Sequence, residues 1–216
     1  LWEVWALPHQ VPPEGYWRRN IWHQMGYDAI CEGPSLLFPG TLDLVANDTA
    51  GTGRKERRWV DETTGVISNW DDFERYPWPD PADFSYHSLE YAANNIPEGM
   101  GIVARGAGVM ETGMYLLGFE SMALSIYTQP DLVKAVFERA SEILLKVFQT
   151  LVQYDHVIAL FVGDDMGYRS GTFISPEHLR NYVLPFHKQA AKTAHNADIP
   201  YLLHSCGNLE NIMNDL

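Results

Sequence analysis

The chain has 216 residues, of which 46% are hydrophobic and 12% aromatic, and this composition excludes a protein that is disordered over most of its length. Its 15 basic and 28 acidic residues give a formal net charge of −13, which offers little attraction to nucleic acid or to anionic membrane surfaces. We therefore expect a globular protein with neither of those partners.

The first hundred residues have an irregular pattern with several short strand-like runs. The runs at 45–47 and 57–60 flank the glycine-containing segment 51–53, and a further run follows at 66–68. Glycine-rich turns between short β-prone runs are typical of hairpins. These runs predict a pair of antiparallel strands that extends from the main domain.

The second half alternates strand and helix patterns. An apolar strand at 101–105 ends in the turn 106–108, and a helix is predicted over 114–127. A longer helix begins at Pro130 and runs to about Leu151, because apolar residues recur there at helical spacing. The residues of this apolar stripe are Val133, Val136, Phe137, Ala140, Leu144, Val147, Phe148 and Leu151.

The same alternation continues to the end of the chain. The apolar run 157–162 predicts a strand, Ser175 caps a helix that reaches about Ala194, and a strand follows over 201–204. A strand–helix repeat predicts an α/β protein with a parallel sheet, and we expect a (β/α)8 TIM barrel with an irregular N-terminal region. The carboxyl ends of its strands share one rim, where such barrels carry out their chemistry.

Cysteine usage and the chain ends complete this outline. Cys31 and Cys206 are the only cysteines, which is too few for a disulfide framework, so we expect reduced thiols and a cytoplasmic protein. The chain begins at Leu1 without methionine and stops at Leu216 within a helix-like stretch. We expect a single domain over 1–216 that is a fragment truncated at both ends.

The most informative pair of residues is His204 and Cys206, where a strand ends. Residues i and i+2 of a strand point to the same side, and imidazole nitrogen with thiolate is a donor set that suits zinc. The spacing alone favours a buried cysteine and a hydrogen-bonded histidine over a metal site. The turn-forming Gly207 and Asn208 place the pair at the rim and favour a metal site.

Other polar residues follow neighbouring strands at the same rim. Asp164 and Asp165 are candidate catalytic residues that orient His204 or hold a polar substrate, although an aspartate after a strand also commonly caps a turn or a helix. Arg105, Gly106 and Tyr168 are candidate substrate-binding residues, with Arg105 suited to an anionic group. The remaining histidines are interpreted mostly as surface or helix-end residues; they are His9, His23, His87, His156, His178, His187 and His195.

Several motifs together resemble the uroporphyrinogen decarboxylase superfamily, over most of the chain from Trp70 onward. They are GDDMG at 163–167, ISPEHLR at 174–180, PFHK at 185–188 and HSCGN at 204–208, with WDDF at 70–73, YPWPDP at 76–81 and GFE at 118–120. The resemblance implies a (β/α)8 barrel. It also implies one of two activities, because the superfamily contains cofactor-free decarboxylases and zinc-dependent methyltransferases.

The resemblance is closer to the methyltransferases, which move a methyl group from a corrinoid protein to a thiol such as coenzyme M. It implies that His204 and Cys206 bind zinc, with a third ligand past Leu216, and that a separate corrinoid protein is the partner. A metal-free decarboxylase of uroporphyrinogen is the second interpretation, but the Arg-Gln-Ala-Gly-Arg signature of that branch is not reproduced at 17–20. A non-catalytic barrel that binds corrinoid or porphyrin is the third.

Overall fold

The computed structural model describes residues 22–41, 44–47, 56–59 and 65–216. The strands are β1 (Ala29–Glu32), β2 (Leu44–Asn47), β3 (Glu56–Trp59), β4 (Gly101–Ala107), β5 (Val157–Gly163), β6 (Gly167–Tyr168), β7 (Gly171–Thr172) and β8 (Tyr201–His204). The α-helices are α1 (Trp70–Arg75), α2 (His87–Asn95), α3 (Val109–Leu117), α4 (Phe119–Thr128), α5 (Pro130–Leu151), α6 (Pro176–Tyr182) and α7 (Leu184–Asn196). Short 3-10 turns follow at Pro81–Asp83 and Glu210–Ile212.

The central sheet is parallel and has the order β1-β4-β5-β8. Its register pairs Ala107 with Gly163 and Gly163 with His204, so the carboxyl ends of β4, β5 and β8 meet at one edge. The predicted α/β class with a parallel sheet is confirmed. Within the described residues this sheet has four strands and does not close on itself.

Helix α5 supplies the largest buried stripe. Its residues repeat at helical spacing, and Pro130 lies in its first turn, where a missing N–H costs no hydrogen bond. All eight residues of the predicted stripe are buried, together with Leu132 and Ile143. No described helix is long and apolar enough to cross a membrane.

The two faces of the sheet differ in what covers them. Ala104, Leu160 and Val162 are fully buried in the hydrophobic core with the helices. Side chains alternate along a strand, so the intervening residues face the other way. On that opposite side, Leu202 is 43% exposed and Arg105 is also exposed.

Two long predicted helices are each split in two. The helix predicted over 114–127 breaks at Gly118, whose φ of 72° lies in the left-handed region that favours glycine. The helix predicted from Ser175 to Ala194 breaks at Val183, because Pro185 has no N–H to continue α6 and instead lies in the first turn of α7.

The predicted pair of antiparallel strands is confirmed for β2 and β3, which pair from Leu44 with Trp59 to Asn47 with Glu56. The turn predicted at 51–53 lies outside the described residues, as does the segment 17–20. Residues 66–68 are not a strand, so that part of the prediction was wrong. Ile67 is instead buried, and its N–H donates to the carbonyl oxygen of Leu116 in α3.

Candidate metal centre

The segments that follow β5 and β8 are joined by main-chain and side-chain hydrogen bonds. The N–H of Asp164 donates to the carbonyl of His204 at 2.9 Å, and the N–H of Cys206 donates to Oδ1 of Asp165 at 2.7 Å. The N–H of Met166 donates to Oγ of Ser205 at 2.9 Å. These bonds fix the backbone on both sides of His204 and Cys206.

His204, Cys206 and Asp165 converge as a possible set of metal ligands. One donor atom from each lies within 4.8 Å of the others, and Sγ of Cys206 is 3.5 Å from Nε2 of His204. Zinc bonds of about 2.3 Å to sulfur and about 2.0–2.1 Å to nitrogen, at a tetrahedral angle, separate those atoms by roughly 3.5 Å. The imidazole and the thiol therefore already have the spacing of two zinc ligands.

The charges around this cluster also suit a cation. A hydrogen bond with Asp165, burial and the charges of Asp165 and Glu111 raise the pKa of the Cys206 thiol. Burial, together with the charges of Asp164 and Asp165, raises the pKa of Glu111 to about 7. Neighbouring acidic groups raise each other's pKa because their negative charges repel. A bound divalent cation would offset this repulsion and favour the deprotonated forms of its ligands.

The two aspartates predicted as catalytic have different surroundings. Asp165 is partly buried and contacts Cys206, whereas Asp164 is completely buried. The Asp164 carboxylate accepts hydrogen bonds from the N–H groups of Met110 and Glu111, at the beginning of α3. Asp164 thus shows the capping alternative, and Asp165 lies beside the metal candidates; a catalytic role for either aspartate stays a prediction.

His187 belongs to the group of histidines that the sequence interprets mostly as surface or helix-end residues, but the structure buries it. It is only 5% exposed, and its Nε2 lies 2.9 Å from Oδ2 of Asp164. A signal was present, because His187 falls in register with the buried residues Val183, Ala190 and Ala194 along α7. The histidine occupies a core position of that helix.

A pocket of about 440 Å³ lies at the carboxyl ends of β4 and β5, and its wall includes Glu111, whose charge acts on Cys206. Arg105 and Gly106, two of the predicted substrate-binding residues, line it together with Glu111 and Phe161. Tyr168, the third, is 65% exposed on β6 and is not among the described residues that line this pocket. The sequence does not single out Glu111, because the predicted helix begins at 114 and the interactions of Glu111 with Asp164 and Asp165 are long-range.

A comparison with protein families identifies the chain. The uroporphyrinogen decarboxylase (URO-D) family profile matches residues 62–216, which is most of the chain. The chain belongs to the URO-D family. The family resemblance predicted from the sequence motifs is therefore confirmed, and membership of this family supports an enzymatic role.

Solved structures resemble this URO-D chain in fold. A methyltransferase from Methanosarcina mazei matches it with a TM-score of 0.59 at 16% sequence identity. The match covers 91% of this chain, which spans 57% of the length of that methyltransferase. No curated protein matches the chain in a sequence comparison.

The raised pKa of Glu111 predicts a pH-dependent effect on the stability of the metal-free URO-D chain. Its pKa is about 7 in the folded chain and 4.5 ordinarily, so between these values the folded state keeps a proton that the unfolded state releases. The contribution of Glu111 to the free energy of unfolding therefore falls as pH rises from about 4.5 to about 7. We expect the Glu111→Gln variant not to show this loss. The difference in free energy of unfolding between the variant and wild type should therefore increase from about pH 4.5 to about pH 7.

Urea unfolding of both proteins at about pH 5 and about pH 7.5, with a chelator present, measures this difference. Glu120→Gln, which replaces an exposed glutamate in the first turn of α4, is the control. If the free energies of unfolding of Glu111→Gln and wild type differ by the same amount at both pH values, the prediction is contradicted.

Proposed function

We propose that this URO-D family protein is a zinc-dependent methyltransferase that moves a methyl group from a corrinoid protein to a small thiol. The observation that carries the proposal is the 3.5 Å separation of Cys206 Sγ and His204 Nε2, beside a third possible ligand atom from Asp165. Nitrogen, sulfur and oxygen donors suit zinc better than they suit magnesium or calcium.

His204 and Cys206 would hold the ion, and Asp165 is the third donor that the described chain offers. The cluster spans up to 4.8 Å, wider than the roughly 3.5 Å between zinc ligands, so Asp165 ligates after a small side-chain rotation or orients Cys206 from outside. Bound zinc would supply the Lewis acidity that keeps an acceptor thiol deprotonated near neutral pH.

The pocket that Glu111 and Arg105 line would hold the acceptor. Arg105 is its one cationic lining residue among the described residues and would bind an anionic end of the thiol, with Gly106 beside it on the pocket wall. Leu37 and Phe161 supply apolar surface for the carbon chain. Tyr168, exposed on β6, is proposed to contact the substrate from the surface.

The methyl donor in this proposal is a methylated corrinoid carried by a partner protein. A lone pair of the acceptor thiolate forms the sulfur–carbon bond while the cobalt–carbon bond breaks and leaves its electron pair on cobalt. The thiol proton leaves to solvent before this step, so atoms and charges balance. We place the reaction in the cytoplasm, because Cys206 must remain reduced.

The test is methyl transfer from methylcobalamin to 2-mercaptoethanesulfonate by the zinc-loaded protein. We expect thioether formation, and we expect Arg105→Gln to raise the KM for this anionic thiol about 10-fold because a charge-assisted contact is lost. The KM for the uncharged 2-mercaptoethanol should change little, which provides an internal control.

Two outcomes would replace the proposal with the alternatives. Loss of carboxyl groups from uroporphyrinogen with metal-free protein, without methyl transfer, would establish a decarboxylase. Binding of methylcobalamin without turnover of any thiol would indicate a non-catalytic corrinoid-binding protein.

A further inference from the structure

We propose that Asp164 is a positioning residue for the metal centre, because its carboxylate and its backbone together tie α3, α7 and β8 to the segment that carries Asp165. The inference rests on the proposed zinc role of the site. Asp164 is 0% exposed, so it does not contact substrate and acts through its neighbours.

The first connection is to α3. The N-cap residue of this helix is Gly108, which has no side chain to accept from the free N–H groups of the first turn. Oδ2 of Asp164 accepts from the N–H of Met110 at 3.0 Å and Oδ1 accepts from the N–H of Glu111 at 2.9 Å, so a residue that follows β5 supplies the cap. This fixes the backbone of Glu111, whose charge acts on Cys206.

The second connection is to α7 and β8 through His187. Because a carboxylate only accepts, Nε2 of His187 donates to Oδ2 of Asp164 over 2.9 Å. Nδ1 is then free to accept from the hydroxyl of Tyr201, 2.7 Å away. Burial and the charge of Asp164 raise the pKa of Tyr201, so the phenol keeps the hydrogen that it donates.

The third connection is through the main chain. The N–H of Asp164 donates to the carbonyl of His204, and the adjoining Asp165 accepts from the N–H of Cys206. A shift of Asp164 therefore moves the backbone of one proposed ligand and the carboxylate beside another. Buried, fully hydrogen-bonded groups of this kind hold metal ligands in orientation, and their loss weakens metal binding.

The experiment compares zinc affinity, by competition with a chelator, among wild type, Asp164→Asn and Tyr201→Phe. Asparagine cannot accept all three hydrogen bonds, so we expect zinc affinity to fall about 10- to 100-fold. Tyr201→Phe removes one hydroxyl and keeps the ring, and we expect a loss of about 3-fold. If Asp164→Asn does not fold, Tyr201→Phe decides.

A matched control separates positioning from general destabilisation. Leu144→Ala removes a fully buried side chain of α5, a helix that carries none of the three cluster residues, and lowers thermal stability. We expect it to keep the wild-type zinc affinity and the wild-type cobalt(II) spectrum, whereas Asp164→Asn alters both. Wild-type affinity and spectrum in Tyr201→Phe and in any folded Asp164→Asn would overturn the positioning role alone. Absence of zinc binding by wild type would overturn the proposed function, and this inference with it.

Discussion

Replacing either His204 or Cys206 with alanine is expected to abolish stoichiometric zinc binding. Each substitution removes one of the two donors that already have zinc spacing, so the affinity should fall by more than the roughly 10- to 100-fold that residues outside the ligand shell contribute. Metal analysis after dialysis against a weak chelator measures the result. We expect about one zinc per wild-type chain and almost none in either variant.

The chain offers matched controls for both substitutions. Cys31→Ala removes the other cysteine, which lies on β1 and is not part of the cluster. His195→Ala removes an exposed histidine near the end of α7. Both controls should retain zinc, and retention by Cys206→Ala or His204→Ala as well would show that the ion binds elsewhere.

Replacing Gly108 with alanine is expected to lower the free energy of unfolding by about 3 kcal/mol or more. A Cβ atom at this position would lie 2.1 Å from Cγ and 2.2 Å from Cβ of Asp164, too close for either residue to stay in place. Asp164 would move, and the cap on α3 and the bond to His187 would weaken together. Urea unfolding of the metal-free protein measures the change.

Gly163→Ala is the matched control for this prediction. Gly163 ends β5 immediately before Asp164, but a Cβ atom there would meet nothing within 4 Å. The same glycine-to-alanine change should therefore alter stability by less than about 1 kcal/mol. Equal losses in the two variants would contradict the prediction, because an alanine at 163 causes no crowding at Asp164.

The regular half of the fold could be predicted from sequence, because its elements carry strong periodic signals. The stripe of α5 and the apolar run of β5 contain enough residues in phase to identify both. The splits at Gly118 and Val183 were not predicted, because the apolar spacing continues across each break, although Gly118 and Pro185 are helix-breaking residue types. The single domain over 1–216 stays a prediction.

The sequence predicts those parts of the candidate site that local geometry or adjacent strands bring together. The pairing of His204 with Cys206 follows from strand alternation, and the proximity of Asp165 follows from adjacent parallel strands. The alternation of side chains along β5 determines which of the two aspartates is buried. Asp164 continues the buried series of Leu160 and Val162. Long-range contacts such as that of His187 with Asp164 have no local sequence signature.

The two zinc candidates His204 and Cys206 are separated by one residue, whereas Asp165 comes from a segment about forty residues earlier. A short His-x-Cys chelate needs almost no loop closure, so the unfolded ensemble can also capture the ion, although less tightly. Zinc that binds the unfolded chain as well as the folded chain stabilises both states, so the net stabilisation of the folded state is smaller. We therefore expect zinc to raise the melting temperature by less than its affinity for the folded chain alone predicts.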